Sequence, residues 1–265
     1  MPRWMGIPQR FPAGEVNEVH ALRGVDLHLP AGQFVTVIGS NGAGKSTLFN
    51  VIAGVYPPSQ GQVTIDGVDV TMWPEHRRAA WIGRVFQDPL LGTAASMTIA
   101  QNLTLAMLRS QPLRWRTGVT GARLRAFQEL LAPLGLGLEK RLETRMALLS
   151  GGQRQALTLV MATLARPKIV LLDEHIAALD PATAAKILTL TNEFVANQQL
   201  TALMITHNMQ QALSTGDRTL MMDSGHIVLD LAGEERQQMT VQGLIDRFSQ
   251  ARHTQLLEDE LLLQA

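Results

Sequence analysis

The chain has 265 residues, 46% of them apolar, with 23 basic and 23 acidic side chains and no Cys. That length supports one large globular domain or two modest ones. The balanced charge argues against nucleic-acid binding, which needs a basic surplus to displace counterions, and the lack of thiols excludes disulfides, zinc–thiolate centres and thiol catalysis.

The N-terminal stretch "MPRWMGIPQRFPAG" lacks the apolar core of a signal peptide. No run approaches the roughly 18 apolar residues of a membrane span, so the chain is expected to be soluble by itself. In chain order, "LRGVDLHL" alternates at Leu22, Val25, Leu27 and Leu29 with one slip at Arg23-Gly24. It runs through the turn "PAG" into "QFVTVIG", which predicts two antiparallel strands, the second ending at a glycine-rich loop. "KSTLFNVIAG" places Leu48, Phe49, Val51 and Ile52 at helical spacing, with Gly54 positioned to cap the end. "QVTIDGVDV" predicts a hairpin turning at Asp66-Gly67.

From Asp88 to about Ala165 the pattern is helical, with apolar residues at three- and four-residue steps in "TIAQNLTLAML" and "ARLRAFQELLAPLGL". "KIVLLDE" is a continuous apolar run of strand length ending in two acids, as in a parallel strand buried on both faces. "PATAAKILTLTNEFVANQ" predicts a helix with Pro181 in its first turn, and "LTALMITHN" a second buried strand. "GDRTLMMDSGHIVLDL" reads as two short strands around Ser224-Gly225, and an amphipathic helix starts near Thr240. Strand–helix alternation at both ends with a helical insert predicts an α/β sheet domain interrupted by a helical subdomain.

"GSNGAGKS" fits G-x-x-x-x-G-K-[ST] at Gly39, Gly44, Lys45 and Ser46, between a predicted strand and a predicted helix. In such a loop the backbone from Gly39 through Ser40, Asn41, Gly42, Ala43 and Gly44 to Thr47 cradles phosphate oxygens at a helix N-terminus. Lys45 reaches the β- and γ-phosphates, and Ser46 ligates Mg²⁺. Asp173 suits a water-bridged hold on Mg²⁺, and Glu174 could polarise a water for attack on the γ-phosphate. His207 follows a buried strand, where it reads as a γ-phosphate contact or as a structural His. Gln87 reads as a Mg²⁺ or water contact or as a surface residue. Phe11 could stack on adenine or belong to the core, and Asp180 is placed to cap the helix beginning at Pro181. The segment 109–125, with Arg109, Arg114, Arg116, Arg123 and Arg125, reads as a solvated face or as a face toward anionic lipid. One feature has no role in this scheme: "LLSGGQRQAL" (148–157) opens a second helix with Ser and two Gly, and no Lys stands beside it.

Together and in order, the P-loop, "VFQD" around Gln87, "LSGGQ" at 149–153, "IVLLDE", "AALD" and "ITH" ending at His207 resemble the ATP-binding subunit of an ABC transporter over about residues 20–249. The resemblance implies a P-loop NTPase (RecA-like) fold with a mixed sheet core (1–87 and 166–249), an N-terminal antiparallel β region, an inserted helical subdomain (88–165) and a tail at 250–265. It implies Mg-dependent hydrolysis of ATP between two subunits packed head to tail. Ser150, Gly151, Gly152 and Gln153 then bind the ATP held by the other subunit's Lys45. It also implies a permease partner, met through residues from Asp88 to about Met97, and a place at the cytoplasmic face of the membrane. "IGRVFQDPLLGTAASMTIAQNL" and "LLDEHIAALDP" are similar to a bacterial importer branch described as uncharacterised or as tryptophan/tyrosine uptake systems, which work with a separate substrate-binding protein. The alternatives are an exporter ATPase or, outside transport, an ABC ATPase acting on nucleic acid. Two departures are visible: Ile176 stands where the branch has Thr, and Pro2, Gly6 and Pro8 interrupt the edge strand that normally precedes the adenine-stacking aromatic.

Overall fold

The computed structural model describes residues 3–11, 19–109 and 118–250; of 3–11, 19 and 20 it describes the backbone. The first half of the chain holds β1 (Arg3–Phe11), β2 (Val19–His28), β3 (Phe34–Gly39), α1 (Lys45–Ala53), β4 (Gln62–Ile65), β5 (Val68–Asp69), α2 (Glu75–Arg78), β6 (Ile82–Val85), α3 (Ile99–Leu108) and α4 (Gly121–Leu131). Then come α5 (Gly151–Leu164), β7 (Ile169–Asp173), α6 (Pro181–Asn197), β8 (Thr201–Ile205), α7 (Met209–Ser214), β9 (Arg218–Asp223), β10 (His226–Ala232) and α8 (Gly233–Gln237). The chain divides into two compact units, one from the described residues of Met1–Glu75 and Thr201–Ala265, the other from those of His76–Leu200.

The first unit carries two sheets. One has the order β2-β1-β4-β5 and is antiparallel. In the other, β9 and β8 flank β3 in parallel, and β10 closes the β9 edge antiparallel. The predicted hairpin of "LRGVDLHL" with "QFVTVIG" therefore does not form. β2 pairs with β1, while β3 runs between two parallel strands. The reason lies in burial: Phe34 to Ile38 are all buried, Thr36 included, which suits a central strand rather than half of a two-faced hairpin. The Pro30–Gln33 turn carries the chain from one sheet to the other, closed by the Gln33 N–H on the Pro30 carbonyl at 3.2 Å.

The slip in the alternation of β2 is a β-bulge. Gly24 has φ 72°, and the pairing shifts between Leu22↔Gln9 and Val25↔Ile7. The extra residue keeps Leu22, Val25, Leu27 and Leu29 all buried. β1 is itself irregular from Trp4 to Arg10. Gly6 and Pro8 fall in that stretch, where a missing N–H removes little from the ladder. The hairpin at Asp66-Gly67 forms as predicted, with φ of 52° and 78° at the two turn residues, the pattern a right-twisted two-residue hairpin needs. Residues 241–250 are helical, and Leu244 and Phe248 pack on Ile38, Met221 and Leu231, so the end of the described chain belongs to the first unit's core.

In the second unit β6 and β7 pair in parallel, and β7 is buried from Ile169 to Leu172. α5 packs on α3, α6 and β6. Gly83 on β6 faces α5 so closely that a Cβ there would lie 2.4 Å from the Ala162 carbonyl oxygen.

Candidate functional site

Within the first unit the strand β3 delivers the glycine-rich loop to the start of α1. Gly39 approaches β9 so closely that a Cβ would fall 2.1 Å from the Met222 carbonyl oxygen. Gly44, at φ 98°, would place a Cβ 2.5 Å from the Ala21 carbonyl oxygen. Only Gly fits either position. The loop is tied down from outside: the Ser40 hydroxyl donates to Asp223 Oδ1 at 2.9 Å, and the Gly225 N–H donates to the Ala43 carbonyl at 3.1 Å. Lys45 is buried and reaches back over the loop, its Nζ donating to the carbonyls of Gly39 and Ser40, each at 2.8 Å. No side chain caps α1, and its first turn has no acid. A helix start of this kind, whose leading N–H groups point outward along the axis, suits a phosphate. Ser40, Asn41, Gly42 and Ser46 are exposed, Thr47 is half-buried, and Ala43 and Gly44 are buried under them.

His207 joins this loop at the same end of the sheet. Val37 pairs with Ile205 in the parallel ladder, so Gly39 and His207 leave their strands level with one another. His207 is exposed, while Thr206 before it is buried and fixed by its N–H on the Val37 carbonyl at 3.1 Å. Asn208 behind it caps α7. Phe11 ends β1 opposite Val19, and its side chain lies outside the described residues.

The second unit contains Gln87, Asp173 and Glu174 at the ends of β6 and β7, and the Ser-Gly-Gly helix start with Asp180 at the starts of α5 and α6. Val85 pairs with Leu172, so Gln87 and Glu174 leave β6 and β7 at the same level. Gln87 is exposed; Asp173 and Glu174 are half-buried. Glu174 sits at φ 45°, a left-handed conformation that a non-glycine residue rarely adopts and that costs energy to hold. The loop after Gln87 is hydrogen-bonded to the segment before α5, through Met146 N–H to Met97 O and Ala147 N–H to Ala95 O, each 3.0 Å.

Ser150 caps α5 with a reciprocal capping box. Its hydroxyl accepts from the Gln153 N–H at 3.3 Å, and its own N–H donates to Gln153 Oε1 at 3.2 Å. Gln153 also donates to the Leu136 carbonyl, so it braces the helix start. Gly151 is exposed and Gly152 buried, where a Cβ would lie 2.3 Å from Thr183 Cγ2 on α6. Asp180 caps α6, accepting from the Thr183 N–H at 3.1 Å, and its hydrogen bonds to Thr183 hold its carboxyl below the usual range.

Three residues at these sites escaped the sequence reading. Arg84 on β6 lies 3.6 Å from Asp173 and sits over the Phe86 ring, 4.6 Å from its centroid; its signal was a cation inside "IGRVF". Asp223, which holds Ser40, was marked by an acid at the end of an apolar strand. His175 is buried, with Nε2 3.0 Å from the Thr191 hydroxyl. That hydroxyl donates its proton to the Ile187 carbonyl at 2.8 Å, so His175 must be the donor to it and Nε2 carries the ring proton. Nδ1 is buried without a partner among the described residues, and burial pushes the His175 pKa from 6.5 down to about 4. Of the arginines at 109–125, Arg109 is largely buried against α5, its Nη2 3.4 Å from the Ala162 carbonyl, and burial lowers its pKa. Residues 110–117 lie outside the described residues.

A parallel-stranded sheet that feeds a glycine loop into an uncapped helix, with a Lys folded over the loop, defines a P-loop nucleotide-binding protein of the α/β class. The pattern described as "ABC transporter" matches residues 22–177. The tyrosine transport ATP-binding protein of Clostridioides difficile is 42% identical over 91% of this chain and 94% of its own length. An aliphatic sulfonates import ATP-binding protein of Rhizobium johnstonii is 36% identical over 79% of this chain and 70% of its own. Among solved structures, a dimeric ATP-binding cassette in a post-hydrolysis state bound to ADP and Pi superposes with a TM-score of 0.74 at 28% identity, covering 88% of this chain and 98% of that one. The chain belongs to the ABC transporter family, as an ATP-binding cassette that couples ATP hydrolysis to transport. Among the described residues no helix is long and apolar enough to cross a membrane.

Proposed function

We propose that the chain is the ATPase subunit of a bacterial uptake system for an amino acid or a similar small solute. It acts as one of two identical subunits on the cytoplasmic face of the membrane, beneath a permease that a separate binding protein loads with solute. One observation carries the two-subunit reading. The chain has an exposed Ser150-Gly151 helix start with no Lys beside it, in addition to a P-loop that has its own Lys45. Such a start completes a phosphate site only where another copy brings the Lys. The likeness to the tyrosine transport protein supports the amino-acid class, and the likeness to the aliphatic sulfonates import protein supports uptake.

In this reading Lys45 and the N–H groups of residues 39–47 hold the β- and γ-phosphates of ATP, and Phe11 stacks on adenine. Ser150, Gly151 and Gly152 close over the γ-phosphate of the ATP on the second copy, with Gln153 bracing them and Asp180 near the junction. Glu174 accepts a proton from the water that attacks the γ-phosphate, and His207 hydrogen-bonds that phosphate. Ser46, Gln87 and Asp173 offer oxygen donors that suit Mg²⁺, directly or through water, and its charge offsets that of the phosphate oxygens. Leu90, Leu91 and Met97, all exposed and apolar, form the surface offered to the permease. ATP favours the closed dimer because it contacts both copies, and hydrolysis removes that preference.

The test is ATPase activity of the chain co-purified with its permease in liposomes, with each candidate solute presented on its binding protein. An amino acid should raise turnover several-fold. Stimulation only by a solute added on the ATPase side would identify an exporter and overturn the uptake reading.

A further inference from the structure

We propose that Arg84 acts through Asp173, competing with the divalent cation for its carboxylate. The proposal rests on the reading of Asp173 as a carboxylate that holds Mg²⁺. Arg84 is the third residue of β6, a strand whose other members are buried. Its side chain is 14% exposed and that of Asp173 17%, so both ends of the pair are largely out of water. A guanidinium keeps its charge at any working pH, and salt screens a partly buried pair weakly.

The separation decides what kind of contact this is. At 3.6 Å the pair is close enough for strong attraction but longer than the 2.7–2.9 Å of a charge-assisted hydrogen bond. The Arg84 Nε is buried without a hydrogen-bond partner among the described residues, so the side-on fork through Nε and Nη2 is not made. It is held instead by the Phe86 ring beneath it. Phe86 is in turn anchored from α5, where Gln155 Nε2 approaches its carbonyl at 3.5 Å, and it immediately precedes Gln87. Arg84 thus puts a permanent positive charge beside Asp173 without a tight bond to it. A metal drawn to that carboxylate meets a competing charge already in place. Removing the charge makes cation binding tighter. A residue that merely propped Asp173 in its ligating pose would do the opposite.

The experiment measures Mn²⁺ binding by electron paramagnetic resonance in the full chain, held in excess over ADP so that nearly all nucleotide is protein-bound. Wild type is compared with R84M, R84Q, R84K and D173N. The neutral variants should bind Mn²⁺ about three- to tenfold more tightly, while R84K, which keeps the charge, should stay within about twofold of wild type. R84Q retains a planar head to rest on Phe86 and decides the matter if R84M does not fold. Neutral variants that bind Mn²⁺ as wild type does, or more weakly, overturn the role of Arg84 provided that D173N weakens binding. Tightening in R84K as large as in R84Q also overturns it. If D173N leaves Mn²⁺ affinity unchanged, it is the reading of Asp173 that fails.

Discussion

His175 shows how one side chain can record its surroundings. It follows Glu174 directly, yet it is buried, neutral and committed to Thr191 of α6. Its folded pKa is about 4 against an ordinary 6.5, so between those values the unfolded chain binds a proton that the folded chain does not. Stability contributed by the neutral ring is therefore complete above about pH 6.5 and is lost as pH falls toward 4, by about 3 kcal/mol in all. H175Q removes the titration while keeping a donor for the Thr191 hydroxyl. Urea unfolding at pH 7.5 and pH 5.0 should show wild type losing about 2 kcal/mol more than H175Q over that interval. Parallel losses would mean that His175 does not carry the effect. The same ring fixes the residue after Glu174, whose left-handed backbone needs a rigid neighbour to persist.

At the scale of elements, two of the contacts that fix α6 in the second unit bear on the site. Thr191 holds it to His175 after β7, and Thr183 meets the glycine start of α5. Gly152 is thus a packing residue as well as a candidate phosphate contact. Alanine there would set a methyl 2.3 Å from Thr183 Cγ2, and the short branched Thr has no flexible end to swing away. We expect G152A to cost about 1–3 kcal/mol from overpacking. T183S deletes the offending methyl and keeps the hydroxyl and the cap to Asp180. The double variant G152A/T183S should recover most of the loss, which a double-mutant cycle by urea unfolding measures. An equal loss in single and double variants would place the cost elsewhere.

At the scale of the molecule, the proposed two-copy site makes activity depend on assembly. Specific ATPase activity should rise with protein concentration, and E174Q with ATP should sediment as a stable dimer that scarcely turns over. S150R should remain a monomer under the same conditions while still binding ATP through Lys45, with a small loss of helix stability, about 1 kcal/mol, from the missing cap. Full activity of S150R at low concentration would refute the two-copy site.

The order of motifs, the family and most elements were legible in the chain because each is a local pattern: a glycine loop after an apolar strand, a capping Ser before a helix, two positive-φ residues at a hairpin turn. Even the slip at Gly24 was visible, although its meaning as a bulge was not. Partnership was not legible. "LRGVDLHL" and "QFVTVIG" look like neighbours in a hairpin, yet they lie in different sheets, because the burial of β3 on both faces is a demand of the core and not of the turn between them. Likewise no spacing rule joins Arg84 to Asp173 or His175 to Thr191. Those pairs exist because parallel strands and a returning helix bring distant residues level with each other, and the chain alone determines only which residues are available to meet.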